Sequence, residues 1–173
     1  MLNKELKNQL IKLHKECFND GDYAEFFFEH RMPSCKAYVI EENGMALSAC
    51  YAKFFTLVLE GKTMTIPFLT GVATDPSHRY QGLARKVVEK AKRELANEGY
   101  PFAILHPFNH DFYRKLGFET INYKTNFMPS DTPLSGVEFK LFGIADLPLV
   151  AELYNNIVGQ SSSYKIRDLD EFR

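Results

Sequence analysis

Apolar residues recur at helical spacing from the amino terminus, at Leu2, Leu6, Leu10, Leu13 and Cys17 with charges between them, and the pattern stops at Asn19-Asp20-Gly21. This predicts an amphipathic first helix. A second, shorter helical stretch over 23–30 places Phe26, Phe27 and Phe28 side by side before Pro33. Successive helical positions point about 100° apart, so three adjacent Phe residues do not all reach one core. Part of this stretch is expected to line a cleft.

The period changes at Lys36. Ala37-Tyr38-Val39-Ile40, a turn at Glu42-Asn43-Gly44 and a long apolar run over 45–59 predict a hairpin. Gly61-Lys62 reverses the chain into a third β run over 63–74, which makes an antiparallel meander. Asp75-Pro76 ends it. A stripe of Ala84, Val87, Val88, Ala91 and Leu95 then marks a helix closed by Gly99 and stopped before Pro101. The short apolar run 101–106 suits a buried strand after a crossover helix, so its pairing should be parallel. A short helix over 111–116, Gly117 as its cap, alternating strand-like residues over 118–127 and a polar, Pro-containing loop complete this unit. Further on, 145–158 is predicted helical, whereas Ser161-Ser162-Ser163 and the charged stretch 168–173 read as loop.

Composition narrows the class of protein without changing this outline. The chain has 173 residues, 45% of them hydrophobic and 14% aromatic, with Phe at 15 and Trp at zero, which suits one domain with a Phe-rich core or one domain and a fragment of another. The net charge of -1 gives no overall field for nucleic acid or anionic membrane, so any anion site must be local. Cys17, Cys35 and Cys50 form no C-x-x-C pair and are expected to be reduced and mostly buried. No run approaches the roughly 18 apolar residues of a membrane span, and the charged start lacks a signal-peptide core. A cytoplasmic location is the expectation.

The most informative stretch is the junction between the third strand and the helix, with Arg79-x-x-Gly82-x-Ala84 across it. Small residues let a ligand approach the backbone, and a helix start offers unpaired N–H groups at the positive end of its dipole. A pyrophosphate fits that description. From His78 to Arg93 there are six Arg or Lys residues against Glu89 alone. Arg79 and Arg85 are the candidates for phosphate contact, while Lys90, Lys92 and Arg93 read as a solvated helix face.

A second signature follows the buried strand, Phe112-Tyr113-Arg114-Lys115-Leu116-Gly117-Phe118. Together the two regions resemble the paired motifs of the GCN5-related N-acetyltransferase (GNAT) superfamily. Gly71-Val72-Ala73-Thr74-Asp75-Pro76-Ser77-His78-Arg79, with Gln81-Gly82-Leu83-Ala84-Arg85, is most similar to the amino-terminal domain of Eis-type (enhanced intracellular survival) acetyltransferases. The likeness covers most of residues 1–140, a GNAT domain. Residues 141–173 resemble a linker and the opening of a second domain that is cut short.

The resemblance implies an α/β (α+β) fold with a mixed, mostly antiparallel central sheet flanked by helices and a parallel strand pair that splays at the cofactor. It implies acetyl-CoA as co-substrate and no metal. Backbone groups of Val72, Ala73 and Thr74 would pair with the pantetheine arm, and Arg79, Tyr80, Gln81, Gly82, Leu83, Ala84 and Arg85 would hold the pyrophosphate. Phe108 and Asn109 would border the cofactor, and Tyr113 matches the general acid that protonates the departing thiolate. With an ordinary pKa of about 10, a tyrosine keeps that proton at neutral pH.

An alkylamine acceptor with a pKa of about 10 is only roughly one part in a thousand neutral at pH 7, so a base or another deprotonation route is needed. His106, His110, Asp111 and Glu29 are candidates, and none is singled out. The function expected is acetyl transfer to a primary amine: an aminoglycoside-, polyamine- or lysine-like small molecule, or a lysine side chain. An acyl-CoA-binding or regulatory module without complete machinery is the alternative. Nucleic acid and membrane are not expected partners, and a homo-oligomer is left open.

Overall fold

The computed structural model describes residues 3–19, 21–121, 123, 136, 141–161 and 163–172. Helix α1 (Lys4–Cys17) begins where the Asn3 side chain accepts the Leu6 N–H at 2.7 Å, and it buries Leu10, Leu13 and His14. Helix α2 (Tyr23–Phe26) runs directly into a π-helical turn (Phe27–Arg31) and a 3-10 turn (Met32–Ser34). The widened turn resolves the crowding of the three Phe residues. Phe27 and Phe28 are buried at 7% and 1% exposure, and Phe26 is left outside at 40%.

Strands β1 (Cys35–Glu42), β2 (Met45–Leu59) and β3 (Lys62–Thr74) form the expected antiparallel meander. Both hairpin turns place two successive residues at positive φ, Asn43-Gly44 and Glu60-Gly61, the geometry that matches strand twist. After helix α3 (Leu83–Asn97), strand β4 (Ile104–Leu105) joins β3 in parallel, as the crossover predicts. The sheet order is β1-β2-β3-β4.

Two cores sit on the two faces. On one, Val87, Val88, Ala91 and Leu95 of α3 pack on Tyr38, Cys50, Ala52 and Leu69; on the other, Leu10, Leu13, Phe27, Phe28 and Met32 cover Ala49, Tyr51 and Ala73. Alternation along β2 supplies both, since neighbouring strand residues face opposite sides. Helix α3 ends as predicted: Tyr100 N–H bonds Leu95 O and Gly99 N–H bonds Ala96 O, with Gly99 at φ 90°.

The carboxy-terminal part departs from the loop reading. Helix α5 (Leu147–Val158) is present, and beyond it strand β5 (Ser163–Lys165) pairs antiparallel with Leu57, Val58 and Leu59 of β2. It takes the edge of β2 that β1 leaves after pairing with Lys53. Residues 169–172 form a further 3-10 turn. Residues 118–121 carry no strand, and most of the predicted strand and loop over 122–140 lies outside the described residues. Cys50 is buried, whereas Cys17 and Cys35 are only half-buried, and all three are free thiols. No described helix is long and apolar enough to cross a membrane.

Candidate acetyl-CoA site

The site begins with a disturbance in β3. Ala49 faces Ala73 and Tyr51 faces Thr70, so Gly71 and Val72 together oppose Cys50 in a β-bulge. Gly71 takes φ 60°, and a Cβ built on it would lie 2.8 Å from Cδ2 of Tyr51. On the opposite edge, pairing with β4 ends at Leu69 and Leu105. From that fork onward β3 has no parallel partner among the described residues. Ala73 and Thr74 are nonetheless tethered: Ser48 Oγ donates to Ala73 O at 2.8 Å and Cys17 Sγ donates to Thr74 O at 3.2 Å.

The loop after β3 is held by its own acid. Asp75 Oδ1 accepts the Ser77 N–H at 2.8 Å, the Ser77 hydroxyl, and His78 Nδ1 at 3.2 Å. The hydroxyl and imidazole bonds pull the Asp75 carboxyl down to about 2. A carboxyl depressed in the folded state adds stability that is complete above its ordinary range and lost as pH falls toward about 2. Asp75→Ala should therefore loosen the 3-10 turn (Pro76–His78), costing about 1 kcal/mol as cap losses do and weakening acetyl-CoA binding. Chemical denaturation and cofactor titration of the variant would check both effects.

Beyond that turn, Tyr80 is a non-glycine residue at φ 65° and fully exposed, and Gly82 follows at φ 75° as the N-cap of α3. No side chain caps this helix, and its first turn carries no acid but Arg85 and Lys86. Cations at the positive end of a helix dipole cost about 0.3–1 kcal/mol each, a cost that a bound anion reverses. Thr74, Arg79, Tyr80, Gly82, Leu83, Ala84, Arg85 and Phe112 line one cleft of about 280 Å³. Phe112 was not anticipated from sequence; its place one residue before Tyr113 was the available signal.

The remaining expected residues are not among those lining this cleft. Val72 and Ala73 belong to the bulged strand, and Gln81 is exposed between Tyr80 and Gly82. Phe108 is exposed at 77%, and Asn109 caps helix α4 (His110–Arg114) by accepting the Phe112 N–H at 2.9 Å. Tyr113 is a core residue at 5% exposure, its ring packed edge-on against Phe108 at 5.6 Å, Phe112 at 5.0 Å and Phe118 at 5.9 Å. Burial, with the nearby Cys50 thiol, pushes its phenol up to about 12. Its hydroxyl has no hydrogen-bond partner among the described residues. His106, His110, Asp111 and Glu29 are all exposed.

The solvated reading of two α3 lysines is corrected. Lys90 Nζ donates to Val39 O at 3.0 Å, and Lys92 Nζ donates to Leu116 O while its charge lies over the Phe118 ring at 5.3 Å. The first ties α3 to the sheet and the second ties it to the turn after α4.

A mixed sheet thus forks beside an uncapped, basic helix start whose charge and unpaired N–H groups suit an anion. Residues 1–121 match the acetyltransferase (GNAT) domain family, and the chain belongs to that family. No curated protein matches it. Its fold is similar to that of a conserved protein from Enterococcus faecalis V583, at TM-score 0.60 and 23% identity over 67% of this chain. It is also similar to a GCN5-related N-acetyltransferase from Kribbella flavida, at TM-score 0.56 and 16% identity over 67% of this chain. The chain spans only 30% and 32% of the lengths of these two proteins. A predicted acetyltransferase from Clostridium acetobutylicum, solved with acetyl-CoA, matches at TM-score 0.60 and 15% identity over 73% of this chain and 92% of its own.

Proposed function

We propose that this chain transfers the acetyl group of acetyl-CoA to a primary amine. The observation that carries the reading is the uncapped start of α3, where Gly82, Ala84, Arg79 and Arg85 surround a cleft directly downstream of the β3–β4 fork. The pyrophosphate lies in that cleft, the pantetheine arm follows the β3 edge at Val72, Ala73 and Thr74, and the thioester reaches the fork. Phe108 and Asn109 flank it there. Tyr113 is the general acid: its raised pKa of about 12 keeps the proton available for the thiolate.

The reaction joins the amine nitrogen to the acetyl carbon and breaks the carbon–sulfur bond; the phenolic proton goes to sulfur, and the proton lost from nitrogen restores the phenol through solvent. The Eis-type likeness of residues 71–85, and similar proteins about twice as long, support placing the GNAT domain at 1–140 of a multidomain enzyme.

Acetyl-CoA at about 100 times its Kd should stabilise the fold by about 2.7 kcal/mol, raising Tm by roughly 5–10 °C. Amine-dependent release of free thiol should accompany binding. Absence of the shift would overturn the reading, and a shift without thiol release would leave an acyl-CoA-binding module.

A further inference from the structure

We infer that the adenine of acetyl-CoA stacks on the ring of Tyr80, which makes this residue the part of the site that reads the nucleotide end of the cofactor. The inference rests on the acetyl-transfer reading above.

Strain marks the residue first. Asn43, Glu60 and Tyr80 are the non-glycine residues at positive φ among those described. Asn43 and Glu60 each precede a glycine in a hairpin turn, where strand twist asks for that geometry. Tyr80 closes no hairpin. It lies between the 3-10 turn (Pro76–His78) and Gly82 at φ 65°, a conformation that crowds the Cβ of a bulky residue and that persists mainly at ligand clamps and active sites.

The fold gains no packing in exchange. Tyr80 is 105% exposed, so its ring rests on no other part of the chain. A single surface aromatic is ordinary. One that is strained, bare and on the wall of the cofactor cleft offers its whole face to a ligand. The loop that presents it is fixed at both ends, by the Asp75 bonds to Ser77 and His78 before it and by the Lys86 N–H bond to Gly82 O at 3.0 Å after it. Little further ordering is needed when a ring with two side-chain torsions meets its partner.

Size and direction identify that partner. The cleft that Tyr80 shares with Thr74, Gly82 and Arg85 measures about 280 Å³. Pockets that enclose a drug-sized ligand run from about 300 to 1,000 Å³, and acetyl-CoA is larger than such a ligand. The cleft therefore takes the pyrophosphate and leaves the adenosine outside. With the pantetheine arm running along β3 past Thr74, the adenosine leaves on the loop side, where Arg79, Tyr80 and Gln81 are exposed. A purine presents a π face that stacks on an aromatic ring without any hydrogen-bond partner. Arg79, next in sequence, and Arg85, on the same cleft, suit the phosphates on either side of that base.

Calorimetric titration of acetyl-CoA, adenosine 3′,5′-bisphosphate and S-acetyl-4′-phosphopantetheine into the unaltered protein and three Tyr80 variants tests the assignment. Tyr80→Ala should weaken acetyl-CoA and the bisphosphate alike, by between about fivefold and a hundredfold, the loss expected from one base–aromatic stack. S-acetyl-4′-phosphopantetheine, which lacks the nucleoside, should keep its affinity within about twofold, and Tyr80→Phe should keep all three. In thiol-release assays the alanine variant should show the loss in KM for acetyl-CoA, with kcat held. Tyr80→Gly removes ring and strain together, so it should bind as weakly as the alanine variant while melting at or above the unaltered protein. Unchanged acetyl-CoA binding by Tyr80→Ala, or an equal loss for S-acetyl-4′-phosphopantetheine, would overturn the inference. So would affinity lost only in step with Tm, which would make Tyr80 a structural residue. Absence of the acetyl-CoA thermal shift in the unaltered protein would instead sink the reading beneath it.

Discussion

Tyr113→Phe should lower kcat by about a hundredfold or more while acetyl-CoA affinity stays within about twofold. The substitution is clean because the ring contacts with Phe108, Phe112 and Phe118 are all made by carbon atoms that phenylalanine keeps. No hydrogen bond among the described residues is lost with the hydroxyl, so Tm should move little. With the phenol pushed up to about 12, the acid stays protonated across the working range. The rate should therefore rise with pH as the acceptor amine deprotonates, and a fall from loss of this proton should come only near pH 12. Steady-state kinetics from pH 6 to 10, read as approximate limits of protein tolerance, would check the rise. Unchanged kcat in the variant would leave Tyr113 a packing residue.

Elements set by local pattern were readable, and those set by distant partners were not. Helix α3 follows from its stripe of Val87, Val88, Ala91 and Leu95 and from Gly99, all within one stretch of chain. The meander follows from two turns marked by Asn43-Gly44 and Gly61, residues that tolerate positive φ. Strand β5 was missed because Ser163, Tyr164 and Lys165 have no period of their own; they become a strand only because β2 outruns β1 beyond Lys53. The π-helical turn was likewise hidden, although the adjacent Phe residues signalled that something had to give.

The candidate site shows the same division. Gly82 and the basic residues around it could be placed from sequence because a helix start and its charge pattern are local properties. The left-handed conformation of Tyr80 could not, since a bulky residue ordinarily avoids positive φ and only the folded loop imposes it. The tethers on Ala73 and Thr74 come from Ser48 and Cys17, which are 25 and 57 residues away in sequence. The expectation of an aminoglycoside-, polyamine- or lysine-like acceptor, by contrast, came from resemblance alone.

Gly71→Ala is expected to be the most destabilising single change near the cofactor edge. Its φ of 60° costs an L residue about 1–2 kcal/mol, and its new Cβ would stand 2.8 Å from the Tyr51 ring. Tyr51 has no room to yield, being 1% exposed and packed on Phe27 at 5.4 Å and Phe28 at 5.7 Å. The sum should reach about 2–4 kcal/mol, or a Tm lower by roughly 5–15 °C. Gly82→Ala provides the contrast: φ is 75°, but a Cβ there meets nothing within 4 Å. That variant should lose only about 1 kcal/mol of stability, and any large loss should appear in acetyl-CoA affinity, because Gly82 lines the cleft proposed for the pyrophosphate. Thermal melts with and without acetyl-CoA separate the two cases. If Gly71→Ala melted like the unaltered protein, the bulge would not be the rigid feature that sets the strand edge for the cofactor.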